Sequence, residues 1–276
     1  MKYFILFVTL LISCNSNVSK ESITANATFL PKELENNHEE QFAEYGQSGI
    51  TEMEFNEVID GFEQVFQPIA NQLGLTMEVV RRWEDSTINA YAQREGNHVT
   101  LSMFGGLARH KYMNKLGFAL VLCHEYSHIA GGYPFYRGSV MSVEGQSDIG
   151  STHFCGKAIL GTLSPIYFAP DYEYSPAMNT CRNTYDPDTC TRLLAGGLSL
   201  GKVLASLGKE TMPRYETPDR SIIRRTMESH PRAQCRLDTY YAGTMCPKEW
   251  DVLRIPMNRQ ESDMVNCARP RCWFSG

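Results

Sequence analysis

The sequence has no apolar run long enough to cross a bilayer, no block of lysine or arginine, no internal repeat and no Cys-x-x-Cys pair. Each absence excludes a class of protein. A spanning helix needs about 20 apolar residues, and the run at residues 3–12 is about half that. With a formal net charge of -5 and no basic cluster, neither nucleic acid nor an anionic membrane surface is expected as a partner. The missing Cys-x-x-Cys argues against a cysteine-based zinc site. What is there is an ordinary globular composition of 276 residues, 42% hydrophobic and 21% charged, enough for one substantial core.

The first residues are more specific. Lys2 and the short apolar run after it have the layout of a secretory signal. The run ends in Leu11-Ile12-Ser13-Cys14, which resembles a bacterial lipobox. Residues 1–13 therefore read as a lipoprotein signal peptide and Cys14 as a lipidated mature N-terminus, with an ordinary signal and a chance cysteine as the competing reading. Asn15 after the cysteine resembles outer-membrane sorting. A periplasmic protein, lipid-anchored to the outer membrane of a Gram-negative bacterium, is the expectation. Residues 14–49, rich in Asn, Glu, Ser and Gln, read as a flexible tether. The eight remaining cysteines are an even number in an oxidising compartment, so disulfides are expected. Close spacing favours Cys181 with Cys190 and Cys267 with Cys272.

A folded domain is expected over residues 50–246, with a Cys-rich tail at 247–276 packed on it. Thr51 and Glu54 can form a capping box, and Phe55, Val58, Ile59, Phe62 and Phe66 follow at helical spacing towards a stop at Gly74. Segments 75–83, 88–94 and 98–104 are short and rich in β-branched and aromatic residues, with Glu95-Gly96-Asn97 as a turn. Asn114 can cap a second helix that ends at Gly131-Gly132. A third helix is expected from Glu144 to about Leu160, then a loop at 165–190 and helices near 191–207 and 231–242. The fold class is α+β, mainly helical with a small antiparallel sheet. The 165–190 loop is the candidate for a lid.

Chemistry concentrates in His124-Glu125-Tyr126-Ser127-His128, an HExxH motif. Residues four apart on a helix share a face, so both histidines can grip one metal ion. A catalytic zinc takes three protein ligands and leaves one position open. Glu144 is the expected third ligand, with Glu173 as another acid in reach of the same argument. Glu125 is then free to act as general base. With 7 His in 276 residues, chance yields the motif in on the order of one such chain in a hundred. Its apolar helical setting would bury Glu125, which is costly without a metal. A pair of structural histidines held by hydrogen bonds is the competing reading. Asp148, four residues after Glu144, can accept a hydrogen bond from the non-ligating nitrogen of a zinc histidine. One zinc ion per chain is the expected cofactor.

HExxH followed by ExxxD resembles the gluzincin pattern, and further stretches resemble the family of HtpX and the CAAX prenyl endopeptidase. Asn89-Ala90-Tyr91-Ala92 is similar to its NAFA strand, Gly105-Gly106-Leu107 to the segment before its active-site helix, and His230-Pro231 with Arg236 to its HPxxxxR. The matches keep the family order over a little over half of the chain. The resemblance implies a gluzincin-like domain with His124, His128 and Glu144 as ligands, Glu125 as base and Asp148 behind a ligand. It also puts His230 and Arg236 near the site, His230 as an oxyanion donor or an orienter of a ligand, with a helix N-terminus as the competing reading of His230-Pro231, and makes Asn89 to Ala92 an edge strand that pairs with a bound peptide. The implied activity is zinc-dependent endoproteolysis of envelope polypeptides, tethered through Cys14. Two other readings stay open: a non-catalytic or assembly-assisting lipoprotein that kept the fold, and a zinc amidase acting on a non-protein envelope substrate. The interval between His128 and Glu144 is shorter than in many members, and Cys123 and the Cys-rich tail depart from the pattern.

Overall fold

A computed structural model describes residues 24–35, 49–163 and 171–276. The expected signal peptide and the expected lipidation site, Cys14, lie outside these residues. Thr51 begins helix α1 (Glu52–Gln72) with the expected capping box, its hydroxyl accepting from the Glu54 N–H while the Glu54 carboxylate accepts from the Thr51 N–H. The chain turns at Gly74, φ 73°, a left-handed position that glycine adopts without strain. Strands β2 (Thr76–Arg82), β3 (Ala90–Glu95) and β4 (His98–Phe104) follow, β3 and β4 joined by a tight turn at Gly96-Asn97. A short turn of helix, α2 (Gly105–Ala108), leads into α3 (Lys115–Ala130), which Asn114 caps by accepting from the Gly117 N–H.

Every residue of α3 is buried, so this helix is the axis of the molecule. Phe62 and Phe66 of α1 pack on Tyr126, and Phe55 on Phe118. Helix α4 (Glu144–Gly150) continues through a wider π-type turn, Ser151–Gly156, into α5 (Lys157–Ile159). Wider turns of this kind are frequent beside functional sites. Helices α6 (Asp171–Cys181), α7 (Pro187–Gly208), α8 (Ala233–Thr244) and α9 (Arg259–Val265) complete the described elements. None is long and apolar enough to cross a membrane.

The α+β class agrees with the sequence reading, and four features differ from it. The sheet is mixed rather than antiparallel because β2 runs parallel to β4; with β1 (Thr24–Thr28) at one edge, the order is β1-β3-β4-β2. Alternation fixes which face of a strand is buried and leaves its neighbour open. Within the expected tether, Thr24–Thr28 forms strand β1, antiparallel to β3, and Phe29 and Leu30 are fully buried. Small residues and polar neighbours hid this strand. Consequently β3, which carries Ala90, Tyr91 and Ala92, is an interior strand and not a free edge. In the expected 165–190 loop, 171–181 is a helix despite Pro176, with Glu173 buried and bound to Asn114 and Lys202.

Four cysteine pairs stand at disulfide distance: Cys123–Cys155, Cys181–Cys190, Cys235–Cys272 and Cys246–Cys267. Cys181–Cys190 is the expected pair. Cys267–Cys272 is not formed, because the tail folds back on α8 and each of its cysteines meets a partner there or just beyond it. Trp273 is fully buried in this return, its ring lying where a Cβ on Gly145 would stand.

Candidate metal centre

His124 and His128 project from one face of α3, and Glu144 opens α4 opposite them. All three are fully buried. His124 Nε2 lies 3.1 Å from His128 Nε2 and 3.3 Å from Glu144 Oε2, and His128 Nε2 lies 3.7 Å from Glu144 Oε1. Tetrahedral ligands about 2.0–2.1 Å from a zinc ion stand roughly 3.3 Å apart. The group can therefore hold a metal ion.

The hydrogen bonds behind the imidazoles decide what the front presents. His124 Nδ1–H donates to Asp148 Oδ1 (2.8 Å), and His128 Nδ1–H donates to the Ser142 carbonyl (2.7 Å). With both Nδ1 atoms committed as donors, both Nε2 atoms of neutral rings turn lone pairs towards each other. A cation between them relieves that repulsion. A proton on His124 does so too, since its Nε2 also lies 3.3 Å from Glu144 Oε2; a metal ion held by the three groups would in addition add positive charge near Glu125, whose two carboxylate oxygens are buried without a hydrogen-bond partner. The donor set of two imidazoles and a carboxylate suits zinc.

Titration reflects the same demand for positive charge. Burial works to lower the His124 pKa, but the Asp148 carboxylate outweighs it and pushes the ring up to about 9. His128 is lowered to about 4 by burial. Burial raises Glu125 to about 8, against the pull of His124. Glu144 is held well below the usual carboxylate range because the surrounding histidines outweigh its burial. Asp148 is likewise lowered despite burial, by Arg236 and His124.

Arg236 is the floor of the site. Fully buried on α8, it meets Asp148 through Nε and Nη2, each at 2.8 Å, in the bidentate geometry of strong guanidinium–carboxylate pairs. Its Nη1 donates to the Phe29 carbonyl (2.8 Å) and its guanidinium stacks 4.5 Å from the Phe29 ring. His230 Nε2 lies 2.7 Å from the Thr28 carbonyl oxygen and 3.4 Å from Glu144 Oε2. Asn89 grips Leu30 from both sides, accepting its N–H (2.9 Å) and donating to its carbonyl (3.2 Å).

Of the residues singled out in the sequence, His124, His128, Glu144, Asp148, His230 and Arg236 thus converge, and three others are engaged elsewhere. Glu173 is turned to Asn114 and Lys202, Cys123 is paired with Cys155, and Tyr91 directs its hydroxyl to Glu35. Three participants had no sequence signal beyond proximity: Tyr136, which donates to Glu144 Oε1 and stacks on His128; Ser142, through its backbone oxygen; and Phe29, edge-on to His124. No family model, no curated protein and no solved structure matches this chain.

Proposed function

We propose that this protein is a zinc-dependent endopeptidase, with His124, His128 and Glu144 as ligands and Glu125 as general base. The observation that supports it best is the convergence of two imidazole Nε2 atoms, 3.1 Å apart with both Nδ1 atoms bonded to acceptors behind them, and the Glu144 carboxylate, next to Glu125, whose oxygens are buried without a hydrogen-bond partner. A zinc ion bound there supplies Lewis acidity, which acidifies water and polarises a carbonyl. Glu125 takes a proton from the attacking water and carries it to the leaving amine. Burial raises its pKa to about 8, and added positive charge would lower it towards a base matched to neutral pH. His230, already holding a backbone carbonyl oxygen 2.7 Å from its Nε2, donates to the oxyanion that develops on the scissile carbonyl. Asp148 fixes the tautomer of His124, and Arg236 fixes Asp148.

The resemblance to the HtpX and CAAX prenyl endopeptidase family supports a peptide substrate, and the buried cysteine pairs suit an oxidising envelope compartment. Lipidation at Cys14 and outer-membrane attachment complete the proposal. The test uses the full chain: metal per molecule by atomic absorption, and cleavage of an unfolded protein. Glu125→Gln is expected to keep stoichiometric zinc and to lose cleavage by roughly 10²–10⁴-fold. Equal rates in both forms, or a wild type without bound metal, would remove the reading.

A further inference from the structure

The groups that would receive a substrate are already engaged by another part of the chain. From Thr28 to Leu30 the backbone is held at each residue. The Thr28 carbonyl is met by His230, the Phe29 N–H donates to the Ala90 carbonyl (3.0 Å), the Phe29 carbonyl is met by Arg236, and both backbone groups of Leu30 are met by Asn89. The Phe29 ring stands edge-on to His124, with centroids 5.4 Å apart. Upstream, Thr24–Thr28 pairs with β3 residue by residue. Main-chain pairing along a strand, with one or two side chains seated in pockets, is how proteins capture extended peptides.

Resting on the peptidase reading, we propose that residues 24–30 are a built-in occupant of the peptide cleft, lying where a substrate strand lies, and that cleavage requires this strand to leave β3. The segment precedes α1 in the chain and lies at one edge of the sheet, so its departure leaves the order β3-β4-β2 intact. Its sequence also describes the substrate class: an extended peptide with small residues facing inward, as Ala27 does, and an aromatic residue beside the metal-binding imidazole, as Phe29 is.

A lock and a release test this. Asn26 and Gln93 are register partners, both exposed, with their side chains hydrogen-bonded at 3.1 Å. Asn26→Cys with Gln93→Cys ties β1 to β3 through a bond that mild reductant can reach, while seven of the eight native cysteines paired in the structure are buried. Phe29→Asp places a carboxylate in the buried pocket and expels the strand. Ala27→Pro is a gentler release: Phe29 bonds Ala90, so by antiparallel alternation Ala27 bonds Ala92, and proline removes that donor. In full-length protein verified as folded by circular dichroism, cleavage of an unfolded protein is measured beside anisotropy of a fluorescent peptide of residues 24–32. The oxidised lock is expected to fall below a tenth of the wild-type rate, to exclude the peptide and to recover both on reduction, wild type being unaffected by the same reductant. The release variants are expected to cleave several-fold faster than wild type and to bind the peptide. An oxidised lock that cleaves at the wild-type rate overturns the proposal, as do folded release variants that neither cleave faster nor take up the peptide. If both release variants unfold, the lock decides alone. If the peptide binds only when β1 is free, yet no form cleaves anything, the peptidase reading fails and the occupied cleft stands.

Discussion

Asp148 connects three buried charges: it accepts from His124, pairs with Arg236 and thereby links α3, α4 and α8. Removing either partner of such a pair strands a charge in the interior. His153, one turn beyond on the wider helical turn, makes a different use of burial. Its Nε2–H donates to the Lys248 carbonyl (2.7 Å), its Nδ1 is buried without a partner, and burial together with Lys157 and Lys248 lowers its pKa to about 4. The folded state keeps this ring neutral while the unfolded chain takes up a proton near pH 6.5. Stability is therefore full above about pH 6.5 and is lost progressively as pH falls from about 6.5 to about 4, by on the order of 3 kcal/mol in all. Urea titrations of wild type and His153→Gln at pH 7 and pH 4.5 check this: the variant, which keeps a donor for Lys248, is expected to lose less stability on acidification.

The pair Cys123–Cys155 ties the residue immediately before His124 to the wider turn that follows α4. It closes a loop of 32 residues that contains every proposed ligand, and the loop-entropy argument gives about 3–4 kcal/mol for such a closure. Cys123→Ala with Cys155→Ala is expected to cost about that much in chemical denaturation and to weaken zinc retention against a chelator. Elements whose signal is periodic or capped were legible in the sequence: α1 from Thr51 and its apolar stripe, β3 and β4 from their turn, α3 from Asn114 and the paired glycines, and the three candidate ligands from spacing alone. What escaped depends on partners far apart in sequence. Thr24–Thr28 contains no large apolar residue, and its order comes from pairing with β3 and from the seat of Phe29. Pro176 in α6 reads locally as a breaker, yet Glu173 and the Cys181–Cys190 pair hold the helix in place. The pairing of the tail with α8 follows from where the chain returns, which short spacing misjudged.

Across the molecule, the interior around the candidate metal centre holds Glu125, Glu144 and Asp148 with Arg236 as the one fully buried arginine among the described residues. A divalent ion held by His124, His128 and Glu144 would replace protons as the partner of these buried groups, so the metal-loaded protein is expected to be markedly more stable. With free zinc about a thousandfold above its dissociation constant, binding contributes about 4 kcal/mol, roughly 10 °C in melting temperature for a chain of this size. Scanning calorimetry before and after chelation measures it; an unchanged transition would speak against a metal in this interior. The eight paired cysteines also divide the molecule unevenly. All lie at or beyond position 123, so α1 and the whole sheet are free of cross-links, whereas the helices that carry the imidazoles and Arg236 are stitched together by them. Maturation is therefore expected to have an order: a newly made, still reduced chain can assemble its sheet, whereas the helices around the candidate metal centre are tied together only as oxidation proceeds.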